Sequence, residues 1–275
     1  MSNYFEGWYF KHQNKKETVA VIPGISDDCA FIQLITDEGA FRVDYGREQF
    51  VKGADMCIAD SRFSLDGITL KMDTDGVKAE GEIAYSALTP VRSDPMGFFR
   101  FFPMQCRHGV LSLHHRLMGS LTINGRKYDF SDGTGYIEKD SGRSFPSSYV
   151  WVQANDFDEP CSIMASVADI PFLGFHFKGC ICIIQYNGTE YRMATYLGVK
   201  VIKCAKDKII LEQGKYKLEI DIDKNNGQEL SAPSKGEMTR TIIETAACAG
   251  EFRFYKNDDM LFSLKSNNVS FEYEA

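Results

Sequence analysis

Apolar and polar residues alternate with a period of two along most of the chain. In Lys215 to Ile222 (KYKLEIDI), Tyr216, Leu218, Ile220 and Ile222 share one face and the charged residues the other. Tyr191, Met193, Thr195, Leu197 and Val199 make a second such row, and Glu251 to Tyr255 and Val269 to Tyr273 repeat it. Turn dipeptides recur between the rows: Glu38-Gly39, Asp66-Gly67, Asp75-Gly76, Asn124-Gly125, Asp132-Gly133, Asn187-Gly188 and Asn226-Gly227. Asn-Gly and Asp-Gly supply the positive φ that tight hairpins require. No segment holds a 3.6-residue period with caps. The pattern predicts an all-β chain of antiparallel strands. It holds too many strands for one small barrel, so two β-barrels are expected, packed together. Their seam falls in the turn region Ser141 to Ser148 and divides the chain into 1–142 and 143–275.

Candidate chemistry concentrates in TGYIEKDSGRSFPSSYVWVQANDF, residues 134–157. Glu138 and Asp140 stand two apart, so a strand points both the same way. In the following run, Tyr149, Trp151, Gln153 and Asn155 fall on one face and Val150, Val152 and Ala154 on the other. An apolar face backed by an aromatic-and-amide face suits a wall that packs on one side and meets a ligand on the other. The plainer alternative is an exposed strand with ordinary aromatics. The first strand, FEGWYFKH, repeats the pattern with Glu6, Trp8, Phe10 and His12 on one face. There the plainer alternative is a rim glutamate in a salt bridge.

Composition narrows the classes. The 275 residues carry a net charge of -7, which argues against a general nucleic-acid binder. Aromatics reach 13%, in keeping with β-structure or an apolar cavity. No basic-then-apolar leader and no apolar run of membrane-spanning length is present. The eight cysteines contain no CxxC, and the expectation is reduced thiols in the cytoplasm. Cys180 and Cys182, on one face of GCICII, read as small buried hydrophobes. From Pro95 to Tyr128 no acidic residue occurs, while Arg100, Arg107, Arg116, Arg126, Lys127, His108, His114 and His115 do.

Several chemistries lack their residues. His114 and His115 point to opposite strand faces, and neither HxH nor HExxH occurs, so no metal is expected. There is no GxSxG elbow, no phosphate-cradling GxxxxGK[ST] and no GxGxxG. General acid–base work remains. A carboxyl in an apolar pocket has its charged form disfavoured and stays protonated at neutral pH, able to protonate an alkene. Trp151 or Tyr149 would then face the carbocation. A cation in contact would act the opposite way and keep the carboxyl ionised.

FEGWYFK (5–11), CRHGVLSLHHRLMGSL (106–121), GYIEKDSGRSFPSSYVWVQANDF (135–157), SVADIPFLGFHFKG (166–179) and ATYLGVKV (194–201) resemble the tocopherol cyclase-like family, in register as far as KGEMTRTIIE (235–244). The resemblance implies a pair of lipocalin-like barrels. It also implies chromanol ring closure without metal or redox cofactor, in which an acid protonates a prenyl double bond and the quinol oxygen captures the cation. One departure stands out: the family's E-K-(D/N)-W-G reads Glu138-Lys139-Asp140-Ser141-Gly142 here, which points to a smaller or more polar ligand. The expected ligand is a small hydrophobic, isoprenoid-type molecule. Glu138 or Asp140 is the expected acid. Glu6, Trp8, His108, His114, Tyr149, Trp151, Gln153 and Asn155 are the expected ligand contacts. A carrier or sensor that kept the pocket and lost the chemistry is the competing reading.

Overall fold

The computed structural model describes residues 3–172, 174–223 and 227–275, so Asn226 of the last turn dipeptide lies outside the described residues. The first eleven strands are β1 (Phe5–Gln13), β2 (Thr18–Ile25), β3 (Ala30–Ile35), β4 (Ala40–Tyr45), β5 (Phe50–Lys52), β6 (Met56–Ile58), β7 (Ser61–Phe63), β8 (Gly67–Asp73), β9 (Lys78–Ser86), β10 (Cys106–Ile123) and β11 (Arg126–Asp129). The rest are β12 (Thr134–Gly142), β13 (Tyr149–Ala154), β14 (Cys161–Phe172), β15 (Phe175–Tyr186), β16 (Thr189–Ala194), β17 (Lys200–Ala205), β18 (Lys208–Gln213), β19 (Tyr216–Ile222), β20 (Gln228–Ser234), β21 (Glu237–Lys256) and β22 (Asp259–Glu274). Among the described residues the helical segments are 3-10 turns at Arg47–Gln49, Gly97–Phe101 and Thr195–Leu197.

The chain is all-β, as its alternation predicts. One antiparallel sheet runs β4-β3-β2-β1-β12-β10-β9-β8-β7-β6-β5, with β11 on β10. The other runs β16-β15-β14-β13-β22-β21-β19-β18-β17, with β20 on β21. Most neighbours are joined by hairpins. The pairings β1–β12 and β13–β22 bring distant stretches together instead. Two compact units result: Met1–Pro90, Val110–Ser144 and Leu230–Arg240 form one, and Val91–Gly109, Phe145–Glu229 and Thr241–Ala275 the other.

Each sheet curls over its own apolar cluster. In the first unit Trp8 and Phe10 of β1, Val19 and Val21 of β2, and Ile137 of β12 point inward, and β3 comes back into contact with β6. In the second, Val150, Val152 and Ala154 of β13 pack with Leu218, Ile220, Phe252 and Phe254, and Tyr191 of β16 closes on Tyr216 of β19 at 5.7 Å. Cys180 and Cys182 belong to this core, and all eight cysteines are free thiols. Burial pushes the Cys180 thiol up to about 12 and Cys182 well above its ordinary value. The row expected from Tyr191 to Val199 stops early. β16 ends at Ala194, where the chain turns through Thr195–Leu197 into Gly198 at φ +82°. The Thr195 hydroxyl accepts the Cys180 N–H at 2.7 Å, which holds the turn against β15 and leaves Leu197 exposed.

The first core contains polar groups. His12, His115 and Ser112 are fully buried, with Tyr85 nearly so. His12 Nδ1 lies 3.3 Å from the Val19 carbonyl, which only accepts, so Nδ1 carries the proton and Nε2 accepts from the Tyr85 hydroxyl at 2.6 Å. Ser112 donates to the His114 carbonyl at 2.9 Å and accepts from His115 Nδ1 at 3.1 Å. His115 Nε2 packs directly on Gly135, where a Cβ would stand 2.2 Å from it, so this position admits no side chain.

Burial holds both imidazoles neutral, at about 3 for His12 and about 3 for His115 against an ordinary 6.5. Both folded values lie below the unfolded one, so the unfolded chain takes up protons first as pH falls. Stability is therefore complete above 6.5 and is lost as pH drops toward 3. Each histidine should account for about 2 kcal/mol of lost stability between pH 7 and pH 5. Urea unfolding at both pH values checks this with His12→Gln, whose amide can replace both hydrogen bonds. The loss should shrink by that amount in the variant, and an unchanged loss would contradict the assignment.

Candidate functional site

β1 and β12 pair antiparallel over their whole lengths, with Glu6 opposite Ser141, Gly7 opposite Asp140, Trp8 opposite Lys139, Tyr9 opposite Glu138 and Lys11 opposite Tyr136. The period of two sorts these pairs onto two faces. The inner face carries Glu6, Trp8, Lys139 and Ser141. The outer face carries Gly7, Tyr9, Lys11, Tyr136, Glu138 and Asp140.

On the inner face Glu6 is nearly buried and ion-paired. Lys52 lies 2.5 Å from its Oε1, Lys139 contacts the same oxygen, and the Tyr4 hydroxyl donates to Oε2 at 3.3 Å. Burial opposes the charge, but the two ammonium groups outweigh it and hold the Glu6 carboxyl below its ordinary value. The same ammonium groups sit 5.0 Å (Lys52) and 4.8 Å (Lys139) from the Trp8 ring. Glu6 makes the salt bridge that the plainer reading of FEGWYFKH offers, but from a buried position.

On the outer face Glu138 is 5% exposed, and Tyr136, fully buried, donates its hydroxyl to Glu138 Oε2 at 2.5 Å. Burial first, then the Glu138 charge and hydrogen bond, pushes the Tyr136 phenol well above its ordinary value, so it remains a donor. Asp140 is half-buried on the same face. The residue across from it is Gly7, and a Cβ built there meets no described atom within 4 Å. Room for a Cβ is therefore left across from Asp140. His114, half-buried on β10, has its proton affinity lowered by burial and by Arg116.

The second unit has a polar face of its own behind the β13 core positions. Tyr149, Trp151, Gln153 and Asn155 are all buried. Across β13 and β22, Trp151 stands opposite Glu272 and Gln153 opposite Ser270. The Tyr149 hydroxyl donates to Glu272 Oε2 at 2.6 Å. Glu272 in turn faces Glu244 across β21, and both are buried. Two carboxyls directly opposed in a dry setting repel unless a proton or a cation intervenes. Sequence reasoning missed Glu244 and Glu272, because each sits in an ordinary alternating strand and nothing local signals that its polar face is covered. His108 falls in the segment of this unit that precedes Val110, half-buried, with its N–H on Met96 Sδ at 3.3 Å. By strand, Glu6 and Trp8 stand on β1, Glu138 and Asp140 on β12, and His108 and His114 on β10 of the first sheet, while Tyr149, Trp151 and Gln153 stand on β13 of the second, with Asn155 just after it.

Comparison with known proteins bears on this geometry. Residues 79–273 match the family described as tocopherol cyclase-like. The fold is similar to that of kievitone hydratase from Nectria haematococca, with TM-score 0.61, 14% identity, and coverage of 98% of this chain and 89% of that one. It is also similar to CghA, with TM-score 0.61, 10% identity, and coverage of 98% and 88%. This is the lipocalin-like architecture of two large antiparallel sheets. No described helix is long and apolar enough to cross a membrane.

Removing both cations from Glu6 leaves a nearly buried carboxylate uncompensated. Lys52→Met combined with Lys139→Met should cost about 2–3 kcal/mol, toward the low end because Lys52 is half-exposed. Adding Glu6→Gln should restore most of it. Urea midpoints of the double and triple variants decide, and a double variant as stable as the parent would refute the pairing.

Proposed function

Because the chain belongs to the tocopherol cyclase-like family, we propose that it binds a small hydrophobic, isoprenoid-type molecule and closes a ring on it by protonating an alkene. The observation that carries this reading is Glu138, a buried carboxyl held by Tyr136, on a face where Gly7 leaves room beside Asp140. Glu138 or Asp140 supplies the proton. The alkene π pair forms the new C–H bond, and the cation develops on the more substituted carbon. The ligand's own hydroxyl oxygen then forms the C–O bond, and its proton returns to the carboxylate. Atoms balance as an isomerisation, with no cofactor consumed. The Tyr9 ring, directly across from Glu138, is placed to face the developing cation.

In the second unit we assign Tyr149 and Trp151 an aromatic wall and Gln153 and Asn155 polar contacts, with His108 and His114 as further polar positions of their own units. Glu272, between Tyr149, Trp151 and Glu244, is a second candidate acid. We place the protein in the cytoplasm, where its eight thiols stay reduced.

A non-catalytic carrier is the second reading, and one observation favours it. A hydrogen bond donated to a carboxyl stabilises its charged form, and the Tyr136–Glu138 bond at 2.5 Å is of that kind.

Incubation with prenylated quinols in deuterated water, followed by mass spectrometry, separates the two. The expected product is a chromanol carrying one solvent deuterium, with turnover falling at least 100-fold in the variant that lacks the acid among Glu138→Gln, Asp140→Asn and Glu272→Gln. Ligand-induced thermal stabilisation without product would establish the carrier, and neither response would reject the ligand class. Gly7→Val provides a steric check. The fold should keep its stability, since a Cβ there meets no described atom within 4 Å, while turnover and ligand stabilisation both drop. Unchanged ligand responses would move the ligand elsewhere.

A further inference from the structure

The second unit carries an exposed aromatic surface that plays no part in the buried faces above. It is built from the 3-10 turn Gly97–Phe101 and the tip of the β14–β15 hairpin. Phe98 stacks on Phe99 at 4.6 Å, Phe99 on Phe177 at 5.6 Å, and Phe102 meets Phe172 edge-on at 5.5 Å. Phe172 then contacts Phe175 at 5.8 Å, which makes the network continuous from the turn to the hairpin. A satellite core would bury these rings, yet Phe98 is 52%, Phe101 74% and Phe175 55% exposed. Contiguous apolar surface of this kind marks an interaction site.

Charge selects the partner. Residues 95–128 and 170–189 contain no Asp or Glu, and the nearest acid of the hairpin, Asp169, stands across from Lys178 and is hydrogen-bonded by His176 at 2.6 Å. Exposed Arg100 lies over the Phe101 ring at 4.6 Å, and exposed Lys178 follows Phe177 on β15. A second copy would set these cations against themselves. An anionic lipid surface satisfies them while the apolar phenylalanine rings enter the headgroup–acyl boundary. We propose that the Phe98–Phe102 turn, with Phe172 at the end of β14 and Phe175 at the start of β15, forms a docking surface for an anionic membrane. The cations steer and hold, and the rings insert to headgroup depth. Docking of this kind would bring the protein to the phase in which a hydrophobic ligand dissolves. The docking stands on the patch alone and not on the buried carboxyls.

The test is co-sedimentation of the full chain with vesicles of phosphatidylcholine containing phosphatidylglycerol, and with pure phosphatidylcholine. Binding is expected to the anionic vesicles, to weaken with salt, and to fall about tenfold or more in Arg100→Glu and in Phe101→Ser/Phe175→Ser. Both variants replace exposed groups, and unchanged thermal unfolding confirms that they fold. No binding to anionic vesicles at low salt overturns the proposal. So does a dimer, detected by light scattering without lipid, that Phe101→Ser/Phe175→Ser dissolves. The assay reads neither turnover nor ligand, so its failure is distinct from failure of the cyclisation reading.

Discussion

The antiparallel ladder between β1 and β12 is the constraint on which the first unit depends. It joins the start of the chain to residues more than a hundred positions later, and its register sorts every side chain along it. Glu6, Trp8 and Lys139 go to the core side, and Tyr9, Lys11, Tyr136 and Glu138 to the other. A slip of one residue would exchange the two sets, burying Lys11 in the apolar cluster and turning Trp8 and Phe10 outward. The apolar side forbids that slip, with Trp8, Phe10 and Ile137 all part of one core. The position of the candidate acid is thus set by the packing of residues on the opposite face.

The same ladder gives three carboxyls three environments. Glu6 has two ammonium groups and is held ionised despite burial. Glu138 has a phenol, which donates a hydrogen bond without bringing a full charge. Asp140, half-buried, lies across from a glycine that takes up no room. Of these, Glu6 is ion-paired to two lysines, and Glu138 is buried on the face that it shares with the fully buried Lys11. A proton donor to an alkene must be neutral before the step and ionised after it, so a carboxyl already paired to lysines is unsuited to the task. Lys139, between Glu138 and Asp140 in sequence, is turned to the inner face by strand geometry, whereas Lys11 shares the face of the two carboxyls.

Much of this was legible in the chain. Alternation and turn dipeptides are local properties, so the all-β class, the shared face of Glu138 and Asp140, and the opposed faces of His114 and His115 could be read directly. Leu218, Ile220 and Ile222 went to the core as their spacing required. The row from Tyr191 to Val199 failed because a hydrogen bond from the Cys180 N–H to Thr195 and the left-handed Gly198 bend the chain there, and alternation registers neither. Glu244 and Glu272 were invisible because their opposition depends on the register of two long strands with bulges between them. The aromatic surface was legible only as composition. Phe98 to Phe101 fall in a 3-10 turn and Phe172 and Phe175 at the ends of two strands that meet in a hairpin, where a period of two does not say which rings stay exposed.

The position where the family usually carries tryptophan also changes meaning once the register is known. Read along the chain, Ser141 adjoins Asp140 and so stands next to the candidate acids. In the ladder it lies across from Glu6, on the face of Lys139 and Trp8. A tryptophan there would crowd a place already occupied by the Trp8 indole and by the two ammonium groups that converge on Glu6 beside it. A serine leaves that cation–π and ion-pair arrangement undisturbed. The departure therefore bears on the inner rim and on how Glu6 is kept charged. It leaves Tyr136, Glu138 and Asp140 on a face that the substitution does not touch.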